Sequence, residues 1–363
     1  MARLALVKTL RVRAGESVTI ETWDGTVAWA TAFVLEARRL GAHPVLVYND
    51  EATYWKTLEV AGPKVLGISG RQEWALLERT DAYVSFFGPS DMVREASLPE
   101  ETLKATTAFD EQWFELAERS GLRLARMYLG RVSAASARAF GVDPEAWRRE
   151  LVDAALVDPT LLHRTGLKVA ERLRKGSVVE VRHPNGTELR LRLRHREPRL
   201  DTGILPPRRS SRGTGERSRP GIQDVSLPAG VVTVAVDERS GDGRFVSNLP
   251  GDFIDGPRVG GEWALRDGRL VSYSYRSGGE EFDRIYRRVG PDRATAAFLS
   301  VGLNPRIRDA PMMRDQRLGT VTFGIGGNRY FGGQTDGHGF SQYLHLADAE
   351  LRIDGKVVVQ PVS

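Results

Sequence analysis

Apolar positions in the first 160 residues alternate between two periods. Residues 17–22 read as a strand after the turn Ala14-Gly15-Glu16. Val27, Ala30, Phe33, Val34, Ala37 and Leu40 then recur at three- and four-residue steps, which aligns them on one helix face, and Gly41 supplies the stop. The wholly apolar run at 44–48 supplies another strand, with further strands at 81–87 and 122–128 and helical patterns at 71–79 and 110–119 between them. Strands separated by helices imply a parallel sheet, because parallel neighbours need a long crossover. Helical patterns at 133–140, 144–156 and Pro159–Lys175 lead out of this sheet.

The second half changes period. Residues 178–182 and 187–193 alternate apolar and polar around Pro184-Asn185-Gly186, the signature of an Asn-Gly hairpin. Further strands are expected at 231–236, 258–265, 269–275, 318–323 and 349–359, with a helix carrying Phe282, Ile285 and Tyr286 behind the acidic pair Glu280-Glu281. Acidic residues at that end suit the helix dipole. The expectation is an α/β domain over residues 1–165, a parallel sheet with helices, followed by a β-rich α+β domain over 166–363.

A length of 363 residues accommodates two cores of ordinary size. No apolar run approaches the ~20 residues of a membrane-spanning helix, and Lys8 and Arg11 interrupt the apolar N-terminus before a signal-peptide core develops. A cytoplasmic location without a membrane partner is expected. The absence of cysteine removes disulfides, thiolate metal sites and thiol nucleophiles, leaving His, Asp and Glu as ligands. The net charge of +5 is concentrated in the arginine-rich segment 207–220, which has no aromatics for base stacking, so a nucleic-acid partner is not expected. No phosphate-binding loop, nucleophile elbow or His-Glu-x-x-His helix is present.

Short elements of the second half form an ordered series: Gly186-Thr187-Glu188-Leu189, Leu227-Pro228-Ala229-Gly230, Gly302-Leu303-Asn304-Pro305, Gly319-Thr320, Gly332-Gly333 and Asp354-Gly355-Lys356. The series resembles the aminopeptidase T family of metallopeptidases, and the likeness extends upstream to Gly15-Glu16-Ser17-Val18. The resemblance implies a two-domain fold, a homodimer and two metal ions held by Glu, Glu, His, His and Asp. Carried across position by position, those ligands fall on Val231, Phe298, Thr322, Ser341 and Tyr343. None is a carboxylate or an imidazole. The mononuclear iron site of a related ring-cleaving dioxygenase group, two His and one Asp, falls on Phe298, Ser341 and Tyr343.

The resemblance therefore implies an aminopeptidase T-like protein that lacks the dinuclear site and any resident cofactor. Its expected ligand is peptide-like or a small zwitterion, held in an interdomain cleft by Val231, Phe298, Thr322, Arg329, Ser341 and His345. Tyr330, His338 and Tyr343 are the candidates for proton transfer, since Tyr330 follows the glycine-rich turn where the family carries a catalytic Tyr. Arg329 offers a fork to a substrate carboxylate. The alternative is an active metal-dependent hydrolase or oxygenase whose relocated ligands, His338, His345 and Asp336, hold a single Zn, Fe or Mn ion. Asp237-Glu238 reads as a turn after an apolar strand, and Trp23-Asp24, 48–51 and Tyr54-Trp55 as segments beyond strand ends.

Overall fold

The computed structural model describes residues 1–205, 223–337 and 340–360. The arginine-rich segment and His338 lie outside them. The chain divides into two compact units: Met1–Pro159 with Gly203–Pro228, and Thr160–Thr202 with Ala229–Ser363.

The first unit is the expected α/β layer. Strands β1 (Ser17–Trp23), β2 (His43–Asn49), β3 (Ala82–Phe86) and β4 (Arg123–Met127) are parallel, in the order β2-β1-β3-β4. Helix Val27–Arg39 buries Ala30, Phe33 and Ala37, the stripe its spacing predicts. Helix Glu100–Ser120 is longer than the pattern at 110–119 and ends on Gly121 at φ 69°, a left-handed cap that suits glycine. Glu51 and Tyr54-Trp55, expected as segments beyond a strand end, lie in a helix, Glu51–Val60, capped by the Asp50 carboxylate on Thr53 N–H.

The chain then enters the second unit with β5 (Val178–His183), β6 (Thr187–Arg192) and β7 (Arg199–Asp201). The β5–β6 connection is a three-residue turn rather than a two-residue Asn-Gly turn. His183 still pairs with Thr187, Gly186 alone takes positive φ, and the Asn185 side chain accepts from Thr187 N–H at 3.1 Å. The chain next returns to the first unit, where β8 (Gln223–Leu227) adds a fifth parallel strand beside β4. Sequence reading missed β8, whose mixed polar and apolar residues show no period.

The remaining strands are β9 (Val231–Ala235), β10 (Asp242–Val246), β11 (Gly251–Phe253), β12 (Gly256–Arg258), β13 (Glu262–Arg266), β14 (Arg269–Ser274), β15 (Ala296–Gly302), β16 (Val321–Gly326), β17 (Ser341–Leu346), β18 (Glu350–Ile353) and β19 (Lys356–Val359). They form an antiparallel sheet β14-β13-β10-β6-β5-β18-β19, another in the order β17-β16-β15-β9-β7, and the ribbon β11-β12. The stretch expected as one strand at 349–359 is a hairpin, turned at Asp354 and Gly355 with φ of 48° and 75°. The two large sheets meet through Phe323 of β16, whose ring lies 5.8 Å from Phe245 of β10 and 6.1 Å from Trp263 of β13. Helix Gly279–Tyr286 adds Phe282 to the same core.

Candidate functional site

Strand parity decides what the second of these sheets presents on each side. Val232, Val234, Leu299, Val301, Val321, Phe323, Leu344 and Leu346 share one face and build the core. Residues directly opposite on neighbouring strands share a face, so the other carries a row Arg199–Thr233–Ser300–Thr322–His345. Flanking it are Asp201–Val231–Gly302 and Ala235–Phe298–Gly324–Tyr343. Val231, Phe298, Thr322 and Tyr343 thus share one face of a single sheet. Ser341 lies at the exposed start of β17, opposite Gly326.

Each position on this face is held by local packing. Thr233 and Ser300 share a hydrogen bond of 2.8 Å, and Thr322 Oγ1 lies 2.8 Å from His345 Nδ1. All four side chains are buried. The Phe298 ring occupies the space a side chain on Gly324 would need: an added Cβ would lie 2.2 Å from Phe298 Cε1. Phe331 packs on Phe298 at 4.8 Å, and Tyr330 packs on Phe331 at 5.2 Å. Tyr330 is 46% exposed, with the Arg199 guanidinium 4.3 Å from its ring centroid, a cation–π arrangement. Arg329 forms an ion pair of 3.3 Å with Asp336.

Charged groups gather beside this face. The Tyr343 hydroxyl donates to the Asp252 carbonyl at 2.6 Å, and its ring stacks on Phe253 at 4.7 Å. The Asp252 carboxylate accepts from Met312 N–H at 2.9 Å and pairs with Arg314, which also reaches Asp309. Burial raises the proton affinity of Asp252, and Arg314 offsets part of that rise. Asp315 is pushed up to about 7 by burial and by the nearby charges of Asp201 and Asp252. A carboxyl group so placed can exchange a proton near neutrality. His345 moves the opposite way, down to about 3, first through burial and then through Arg314. It stands as a neutral imidazole, and so low a proton affinity makes it a poor general base.

The donor set does not suit a metal pair. The positions onto which the resemblance carries the ligands hold Val, Phe, Thr, Ser and Tyr, and among the described residues no group of three or more His, Asp or Glu could hold an ion. Of the relocated set, Asp336 sits beside Gly327, next to the Ser341 end of β17. His345 lies four residues further along the strand, about 13 Å at ~3.3 Å per residue. The structure does not bring these two together.

Several motifs of the ordered series are backbone fasteners. Asn304 is fully buried, donates to the Ala229 carbonyl at 2.7 Å and accepts from Arg306 N–H at 2.9 Å. Asp354 accepts from Ser177 N–H at 3.1 Å and from Val178 N–H at 2.9 Å. Sequence reading missed Asp201, Thr233, Ser300, Asp252, Arg314 and Asp315. The first three were within reach by stepping two residues along each strand from a carried-over position or across to its neighbour. The last three lie in β11 and a short 3-10 turn, Arg314–Gln316, where no periodicity marks them.

No protein-family model matches the sequence, and no curated relative does. Among solved structures, the chain is similar to wild-type AmpT from Thermus thermophilus, with a TM-score of 0.70 and 14% identity over 99% of this chain and 98% of that one. It is also similar to 2,5-dihydroxypyridine dioxygenase from Pseudomonas putida KT2440, with a TM-score of 0.62 and 15% identity over 99% and 95%. At these identities the likeness establishes the architecture: an AmpT-like fold, a parallel sheet with helices followed by an antiparallel β-rich unit.

Proposed function

We propose that this protein is a metal-independent bearer of the aminopeptidase T-like fold. It binds a peptide-like or other small zwitterionic ligand and lacks ordinary aminopeptidase activity. The observation that carries this reading is the Thr322–His345 pair, a buried neutral imidazole bonded to a hydroxyl at the position where the resemblance requires a histidine ligand. Val231 and Phe298, replacing two glutamates on the same face, support it further, since a buried carboxylate cluster without cations would be strongly repulsive. Peptide hydrolysis on a metal relies on the ion to polarise the carbonyl and activate water. None of these side chains supplies either function.

The test combines metal content with turnover. Protein purified without chelator is expected to carry far less than one equivalent of Zn, Fe, Mn or Co, and to leave aminoacyl p-nitroanilides intact when any of these ions is added. Metal-stimulated hydrolysis at enzymatic rates would overturn the reading. Stoichiometric metal lost in His345→Gln would instead favour the alternative of a single-ion enzyme.

A further inference from the structure

A second feature of the β-rich unit lies at the strand ends, beyond Ala235 and Ala296. It is a cavity of about 450 Å³ whose wall includes Arg194, Arg239, Arg269, Glu238, Asp267 and Asp292. The volume falls within the range of roughly 300–1,000 Å³ of small-molecule sites. Every side chain in its lining is polar, so an apolar occupant would leave charged groups desolvated without compensation.

The charges are of two kinds. Glu238 belongs to the wall: it accepts from Arg196 at 2.8 Å, Asn328 Nδ2 at 2.9 Å and Gln334 N–H at 2.9 Å. Arg194 is anchored through Nε to Asp237 at 2.9 Å, and Arg269 through Nη2 to the Pro291 carbonyl at 3.2 Å. Each anchor fixes one part of the guanidinium and leaves its remaining N–H groups. The side chains of Arg239, Asp267 and Asp292 have no hydrogen bond or ion pair among the described residues. Three guanidiniums and three carboxylates line the cavity, so the lining carries both signs of charge and is neutral as a whole.

That arrangement selects by charge pattern. A bare anion meets Asp267 and Asp292, and a bare cation meets the arginines. A molecule with both charges satisfies both sets, its carboxylate taken by guanidinium forks. We propose that this cavity binds a small zwitterion of amino-acid to dipeptide size, the carboxylate at Arg239 and Arg269 and the ammonium at Asp267 and Asp292. The inference rests on the binding half of the reading above and gives it a location.

Calorimetric titration of the full-length protein with alanine and alanyl-alanine, each also as the N-acetyl acid and the C-terminal amide, tests it. At least one free zwitterion should bind, and both capped forms of that compound at least tenfold more weakly. Arg239→Gln and Asp292→Asn should each weaken binding tenfold or more, with Asp267→Asn as a second acidic variant and melting curves confirming that all three fold. Unchanged affinity in the variants would overturn this site while leaving a zwitterion-binding protein. Equal binding of the acetylated anion would overturn the zwitterion assignment, and no binding by any probe would overturn both the site and the binding half of the proposed function.

Discussion

His345 shows how one side chain converts burial into acid sensitivity. Its proton affinity falls from 6.5 to about 3 in the folded chain, so between those values the unfolded chain binds the extra proton and unfolding becomes easier as pH drops. Stability from this group is fully present above about pH 6.5 and is lost progressively toward pH 3. Denaturant titrations should show up to about 2–3 kcal/mol of this loss between pH 6.5 and 4.5, and His345→Gln should flatten the profile over that interval. An equally steep profile in the variant would remove His345 as the cause. Thr322→Val deletes its partner and leaves Nδ1 buried without a bond, at an expected cost of about 1–3 kcal/mol. Ser300 and Thr233 remain paired and should not compensate.

At the level of strands, the register of β9, β15, β16 and β17 places Val231, Phe298, Thr322 and Tyr343 on one face, and Gly324 leaves room there for the Phe298 ring. Gly324→Ala forces the ring or the strand to move, for an expected loss of about 1–3 kcal/mol, readable as a lower melting temperature. Combining it with Phe298→Leu should recover part of that loss; no recovery would mean that the ring is not the obstacle. Strands β1 to β4 and the helices Val27–Arg39, Arg71–Glu78 and Pro144–Ala155 were legible because their apolar positions repeat within short windows. Strand β9 was legible from its unbroken apolar run. Strands β8 and β15 were not read: Gln223–Leu227 mixes polar with apolar residues, whereas Ala296–Gly302 is a mainly apolar run between the breakers Gly290-Pro291 and Asn304-Pro305 and carried the signals of a strand. The polar row was half legible: Thr322 and His345 stood out as single residues, whereas their pairing depends on a register that no local pattern encodes.

On the scale of the whole chain, the parallel sheet is completed by a strand far along the sequence. Asp224 of β8 is buried and pairs with Arg126 of β4 at 2.6 Å. Asp224→Ala removes the carboxylate paired with a mostly buried guanidinium, and a cost of about 3–5 kcal/mol is expected. Hydrogen exchange should rise in β3 and β4 while β15 to β17 stay protected; uniform loosening of both units would contradict the assignment of β8 to the first. The same discontinuity shapes synthesis. A ribosome adding about 5–20 residues per second delivers β4 and then spends several seconds on the intervening helices and the β5–β6 hairpin before β8 emerges. Meanwhile β4 presents an open edge, and β5 must wait for β18, near the end of the chain, to cover its other side. Neither unit can close before its late strand arrives, so a nascent chain stalled after β6 and before β8, between residues 192 and 223, exposes two unpaired sheet margins at once and should be a preferred client for holdase chaperones.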